Sequence, residues 1–218
     1  MTRVIAIDGP AASGKSTTAR LVAETLGFSY LDTGAMYRAS ALLALRSAVG
    51  LDDHEKVASV IRSHSIDIRD GVVFIDDEDV SSMIRTTSIS DAASLISSGS
   101  PVRREMVALQ RAFADRHDTV AEGRDMGTVV FPGADLKVYV IADVAIRVTR
   151  RWRELRSRGE AQDFDALLRS QLTRDRRDRN RSDSPLRIAP GAVILDSTLM
   201  SIREQADEVL RIFRERAL

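Results

Sequence analysis

The chain has 218 residues, 44% hydrophobic and 29% charged, with 32 basic side chains balanced by 32 acidic ones and no cysteine. That length fits one domain, or one core carrying insertions, and the composition is that of a globular protein able to bury a sizeable core. The missing cysteines exclude disulfides, thiolate metal sites and cysteine chemistry; zero net charge excludes a global attraction to nucleic acid or membranes; and no apolar run approaches the ~18 residues of a membrane span.

In chain order, Val4–Ile7 is an apolar run read as a buried strand, and Thr17, Ala19, Leu21, Val22 and Leu26 follow with helical spacing. The strand starts so early that no secretory leader is expected, and a cytoplasmic setting fits. Phe28–Leu31 reads as a second strand, Asp32-Thr33-Gly34 as a turn and helix cap, and residues 35–49 and 53–63 as helices. Ile66 and Ile68 then alternate with polar residues, Asp70-Gly71 signals a hairpin turn, and Val72–Ile75 answers it. Helices are expected over 89–97 and 102–116, with Pro101 suited to a first turn, and strands over 119–122 and 137–141. Two Arg-rich helices, 144–158 and 163–179, meet near Gly159; a strand at 192–195 and a helix over 201–216 close the chain. Strands alternating with helices predict a parallel α/β sheet, interrupted by a small antiparallel insert.

Between the first strand and helix, Gly9-Pro-Ala-Ala-Ser-Gly-Lys-Ser16 fits the phosphate-loop pattern G-x-x-x-x-G-K-[S/T], and strand–loop–helix is the context that pattern requires. Backbone N–H groups at a helix N-terminus attract anions, Lys15 can reach the outer phosphates, and the Ser16 hydroxyl can bind Mg²⁺. Leu31-Asp-Thr-Gly-Ala-Met-Tyr-Arg38 is a polar cluster between a strand and a helix, where Thr33 and Arg38 can hold an anionic substrate. Glu122-Gly-Arg-Asp-Met-Gly127 follows another strand; there Glu122 can orient metal-bound water, Arg124 can bind phosphate, and Asp125 can accept from a base. Only three of the 32 basic residues are lysine (15, 56 and 137), and twelve arginines fall between 147 and 181 against six acids. The arginine excess reads mostly as coding bias, so position matters more than number. Arg174, Asp178 and Arg181 share one helical face, so they can converge on one ligand. Positioned arginines are what phosphoryl transfer needs, since charge builds on the transferring group.

With these stretches and Arg174-Asp-Arg-Arg-Asp-Arg-Asn-Arg181, the chain resembles bacterial cytidylate kinase, of the phosphate-loop nucleoside monophosphate kinase family, over nearly its whole length. The resemblance implies transfer of the γ-phosphate of ATP to CMP or dCMP with Mg²⁺, by a single domain, expected as a monomer without nucleic-acid or membrane partners. It implies a core sheet flanked by helices, a monophosphate-binding insert over 34–100 carrying the hairpin, and a lid over 150–162. Gly9, Pro10, Ala11, Ala12, Ser13, Gly14, Lys15, Ser16 and Thr17, with Arg147 and Arg151, are then expected on ATP, and Ser16 on the metal. Thr33, Arg38 and Arg124 would hold the CMP phosphate, and Ser94, Arg103 and Asp125 would read cytosine. Arg174 and Asp178 would face the sugar, and Arg181 a phosphate; Lys15, Arg124, Arg174 and Arg181 would be catalytic. The family often has Ser at position 33 and Asp at position 122; Thr keeps the hydroxyl and Glu the charge. The competing readings are another small-molecule kinase such as adenylate or shikimate kinase, a nucleotide switch, and a nucleic-acid-binding protein. The chain has no Asn-Lys-x-Asp motif for a guanine switch, and interleaved acids weaken the last reading.

Overall fold

The computed structural model describes residues 2–69, 71–160 and 162–216. Its centre is a five-stranded parallel sheet of β1 (Val4–Asp8), β2 (Ser29–Asp32), β6 (Thr119–Gly123), β7 (Leu136–Ile141) and β8 (Val193–Asp196), in the order β2-β6-β1-β7-β8. A separate antiparallel sheet joins β3 (Ile66–Arg69), β4 (Val72–Ile75) and a short β5 (Glu78–Asp79). The hairpin expected from sequence is therefore two-thirds of a three-stranded sheet. Asp70, on which half of its turn signal rested, lies outside the described residues.

Side chains alternate across a strand, so β1 serves two cores at once. Ile5 and Ile7 pack with Val22 of α1 (Lys15–Leu26) and with Val209 and Phe213 of α8 (Ile202–Arg216). Ala6 packs on the other face with Leu31, Ala121 and Met126. This second core continues without a break into α2 (Thr33–Arg46), α3 (His54–Arg62), α4 (Thr87–Ile96), α5 (Ser100–Ala114) and the small sheet. Burial on both faces explains why β1 is a continuous apolar run rather than an alternating one. A third, small cluster of Val148, Leu155 and Leu167 joins α6 (Val144–Ser157) to α7 (Phe164–Asn180).

Local chemistry sets the boundaries. Asp32 accepts the Ala35 N–H at 2.7 Å and starts α2 two residues earlier than the hydrophobic pattern predicts. Pro101 sits in the first turn of α5, where its missing N–H costs nothing. Besides β5 and a short helical turn at Met83–Arg85, Met126–Val130 has no sequence precedent: it is a wide helical turn, although Thr128-Val129-Val130 favour strand. The Asp8 carboxylate accepts the Met126 and Gly127 N–H groups from across the sheet and overrides that preference.

Leu31 is fully buried at the centre of the larger core. Leu31→Ala is expected to lower stability by about 2–5 kcal/mol, the range for truncating a buried leucine; urea denaturation with an unchanged slope measures it.

Candidate active site

β2, β6 and β1 are neighbours in the sheet, so the loops leaving their C-terminal ends meet. β1 leads into the loop 9–16, β2 into the Asp32 cap of α2, and β6 into Gly123-Arg124-Asp125. The chain crosses β6 in passing from β1 to β2, and such a crossing is where parallel α/β sheets open a ligand crevice. A cavity of about 610 Å³ occupies it.

The loop is fixed from behind. Gln171 Nε2 and Arg147 Nη1 donate to the Ala11 carbonyl at 2.7 and 3.1 Å, and Ser197 Oγ donates to the Ser13 carbonyl at 2.7 Å. Gly14 precedes α1 with φ of 93°, and a Cβ there would lie 2.8 Å from Gln205 Oε1, so glycine is required on both counts. With Ala11 and Ser13 carbonyls tied down behind, the free N–H groups of the first turn of α1 are left for an anion.

Lys15 Nζ lies 3.5 Å from Glu122 Oε2, both deeply buried. Burial, with Arg124 nearby, lowers the Lys15 pKa to about 8 despite Glu122. Arg124 Nε donates to Asp178 Oδ2 at 2.8 Å. Burial works against the Asp178 carboxylate, but Arg124 and Arg174 outweigh it and hold its pKa below the usual value. Arg103 pairs closely with Asp125 and donates to Tyr37 Oη at 3.2 Å, while Arg181 Nη2 stands 3.6 Å from Asp125 Oδ1, too far for a hydrogen bond.

Arg174 is different. Its Nε is shut off from solvent with no hydrogen-bond partner, and it forms no salt bridge among the described residues. Burial and the like charge of Arg124 lower its pKa to about 10. Arg103 Nε and Arg181 Nη2 are also buried without a hydrogen bond. Buried donors left unmade are costly, so an oxygen-rich anion is the group this cavity lacks. Ser16 and Glu122 offer hard oxygen ligands at its edge. No cluster of three or more His, Cys, Asp or Glu among the described residues is placed to hold a metal. A divalent cation here would take its remaining ligands from phosphate and water, as Mg²⁺ does.

Most of the residues singled out in the sequence line this cavity: Ala11, Ala12, Gly14–Thr17, Thr33, Arg38, Ser94, Arg103, Arg124, Asp125, Arg151, Arg174, Asp178 and Arg181. Gly9, Pro10, Ser13 and Arg147 stand outside the lining. Arg147 is committed to Asp175 at 2.6 Å and to the Ala11 carbonyl, so it braces the loop. Thr33 Oγ1 donates to the Glu122 carbonyl at 2.6 Å, which commits its proton. Arg38 donates to Asp32 Oδ2 at 3.2 Å, and Ser94 accepts from Arg177 Nη1 at 2.9 Å. Sequence reasoning missed Arg150, Ser197 and Asp8. Arg150 donates to the Ser197 carbonyl at 2.7 Å and to the Ser13 carbonyl at 3.3 Å. Nothing local separates it from Arg147 or Arg151 on the same helix.

The sheet order, the phosphate loop and the arginine-lined cavity beside it define a phosphate-loop kinase of the small-molecule type. Solved structures share the fold at low identity: TT1252 from Thermus thermophilus (TM-score 0.52, 14% identity, 100% of this chain and 98% of that one) and a gluconokinase from Sinorhizobium meliloti 1021 (TM-score 0.50, 16%, 98% and 92%). The cytidylate kinase family model matches residues 5–215. The chain is 46% identical to a cytidylate kinase of Solibacter usitatus and 45% identical to one of Paraburkholderia phymatum, each over 98% of this chain and 93% of the relative. The chain belongs to the cytidylate kinase family.

Arg174 makes no salt bridge among the described residues, and burial and Arg124 outweigh the pull of Asp178 on it; Arg174→Ala is therefore expected to leave the melting temperature of the ligand-free protein unchanged or raise it by about 2–4 °C, the equivalent of ~1 kcal/mol at this size. The stabilisation that added CMP gives the wild type should shrink. Thermal melts with and without CMP decide between this and a structural role, which would lower the ligand-free value.

Proposed function

We propose that the protein transfers the γ-phosphate of ATP to CMP, and to dCMP, releasing ADP and CDP or dCDP. Membership of the cytidylate kinase family carries the reaction class. The observation within the site that supports it best is Arg174, a shielded guanidinium with no anion of its own, beside Lys15 and Arg124.

ATP phosphates would lie on the loop 9–17 with Lys15 toward the outer groups. Arg124, Arg174 and Arg181 would draw the CMP phosphate up to them. An oxygen of the CMP phosphate attacks the γ-phosphorus, and the bond to the β–γ bridging oxygen breaks toward ADP. The guanidinium groups neutralise charge on the equatorial oxygens as this happens. Mg²⁺, bound through Ser16, would supply further charge neutralisation at the β- and γ-phosphates. Thr33 would need to turn its hydroxyl from the Glu122 carbonyl to donate to a phosphate; Arg38 can reach one by leaving Asp32.

Cytosine offers an amine donor at N4 and an acceptor at N3. Asp125 would take the amine and Arg103 would donate to N3, with Ser94 beside them. Uracil reverses both groups and would leave the buried pair facing like partners, which is how such sites discriminate. Asp178 and Arg174 are assigned to the sugar side, with Arg174 reaching the phosphate as well. The assignment of residues 34–100 as the monophosphate-binding insert and 150–162 as the lid belongs to the same reading, as do a cytoplasmic setting and a monomer. Ala161, in that lid, lies outside the described residues. Among the described residues no helix is long and apolar enough to cross a membrane. Gly159, at φ of 77°, supplies the turn this reading puts in the lid, and Glu160 beside it accepts from Thr87 Oγ1 at 2.9 Å.

An ADP-release assay with CMP, dCMP, UMP, AMP, GMP and shikimate tests the function directly: CMP and dCMP should lead, and a preference for AMP or shikimate overturns it. Lys15→Ala should nearly abolish turnover while leaving the fold intact, at a lower melting temperature because the buried Glu122 carboxylate loses its cation. Asp125→Ala should cost about 1–3 kcal/mol in kcat/KM for CMP. It should also narrow the CMP:UMP ratio and spare the KM for ATP; an unchanged ratio assigns base reading to other residues.

A further inference from the structure

Asp8 is an acid that the proposed reaction does not use. It is the last residue of β1, directly before Gly9 of the phosphate loop, and only 3% exposed. Its Oδ1 accepts the Met126 N–H and its Oδ2 the Gly127 N–H, each at 2.8 Å. These are the two residues that follow Asp125. Asp125 in turn accepts the Val129 and Val130 N–H groups through its carbonyl at 2.9 and 3.2 Å, while its carboxylate holds Arg103. A carboxylate is the one side-chain group of this size that accepts with both atoms at once.

We infer that Asp8 is a positioning residue that locks the Arg124-Asp125 segment, on the acceptor side of the cavity, to the start of the phosphate loop. The inference rests on the reading of Asp125 as the cytosine partner. The pairing of β1 with β6 ends at Gly123, and this one side chain carries the constraint past the strand end, so that the base-reading carboxylate keeps its distance from the loop that would hold ATP, as an in-line transfer requires. The chain retains an unfavourable group to do this. Burial pushes the Asp8 carboxyl up to about 7, against the pull of the two N–H groups, with Asp125 raising and Arg124 lowering it; Tyr139 faces it from β7. An ordinary turn cap would not need a buried acid; serine or threonine caps at far lower cost.

Asp8→Asn tests this, because it keeps size and one acceptor but sets an NH₂ against the second N–H. The expected result is a folded enzyme whose kcat/KM for CMP falls about tenfold or more, the equivalent of one hydrogen bond to a charged group. The loss should fall chiefly on KM for CMP, the CMP:UMP ratio should narrow, and KM for ATP should stay within about twofold. Asp8→Ser, with a single acceptor, should move the same way. Wild-type CMP:UMP selectivity and its loss in Asp125→Ala, run in parallel, test the cytosine reading separately. If both hold and Asp8→Asn keeps the wild-type ratio and KM, the positioning role is overturned. Equal losses in KM for ATP and CMP overturn it too, since they describe general loosening. Should both variants fail to fold, hydrogen exchange of the ligand-free wild type remains: Met126 and Gly127 amides should be protected as strongly as β1, and exchange at the rate of open loops overturns the lock.

Discussion

Everything at this site follows from burying cations. Lys15, Arg103, Arg124, Arg174 and Arg181 share one cavity, and a buried charge is expensive unless it is paired and hydrogen-bonded. Glu122 stands by Lys15, Asp125 holds Arg103 closely and Arg181 loosely, Asp183 stands 3.7 Å from Arg103 Nε, and Asp178 holds Arg124. Those acids do not cover all the positive charge, and Arg174 is left over. An incoming anion is therefore favoured by the surplus of buried positive charge. Binding energy for phosphate is stored in the fold as an unmet need rather than added by contact alone. The neighbouring strands β2, β6 and β1 make this possible, because each delivers part of the charge from a rigid end.

The legible parts of the sequence were those whose cause is local. The phosphate loop lies within eight residues and brings its own strand and helix. The Asp32 cap, the Ile66/Ile68 alternation, Pro101 and Gly159 each act on their immediate neighbours, and each element appears where they point. The two-core arrangement could be inferred from the apolar run in β1. What escaped reading depends on partners far along the chain. Arg147 and Arg150 are one helical turn apart and alike in sequence, yet one faces Asp175, 28 residues on, and the other Ser197, 47 residues on. The turn at Met126–Val130 is the clearest case. Its own residues favour strand, and an acid 118 residues away decides otherwise.

The same distinction governs the acceptor side. Helical spacing predicts Arg174, Asp178 and Arg181 on one face; α7 ends at Asn180 and Arg181 is its extended cap, yet all three line the cavity. Spacing carries no information about which is already paired. Asp178 is taken by Arg124, Arg181 is loosely held, and Arg174 is free among the described residues. A shared face establishes that groups can meet one ligand; only the count of opposing charges establishes which one waits for it.

Two hydrogen bonds tie α4 to the Arg-rich elements beside the cavity. Thr87 donates to Glu160 at 2.9 Å, joining α4 to the turn after α6, and Arg177 donates to Ser94 at 2.9 Å, joining α7 to α4. Each has one charged and one neutral partner, and both are only part-buried. Net worth for bonds of this kind is about 0.5–3 kcal/mol, small beside the association energy of two nucleotides. Links of that strength hold α4 and α7 in register without making the contact permanent. A buried ion pair in either place would hold them more firmly, because separating it would leave an uncompensated buried charge.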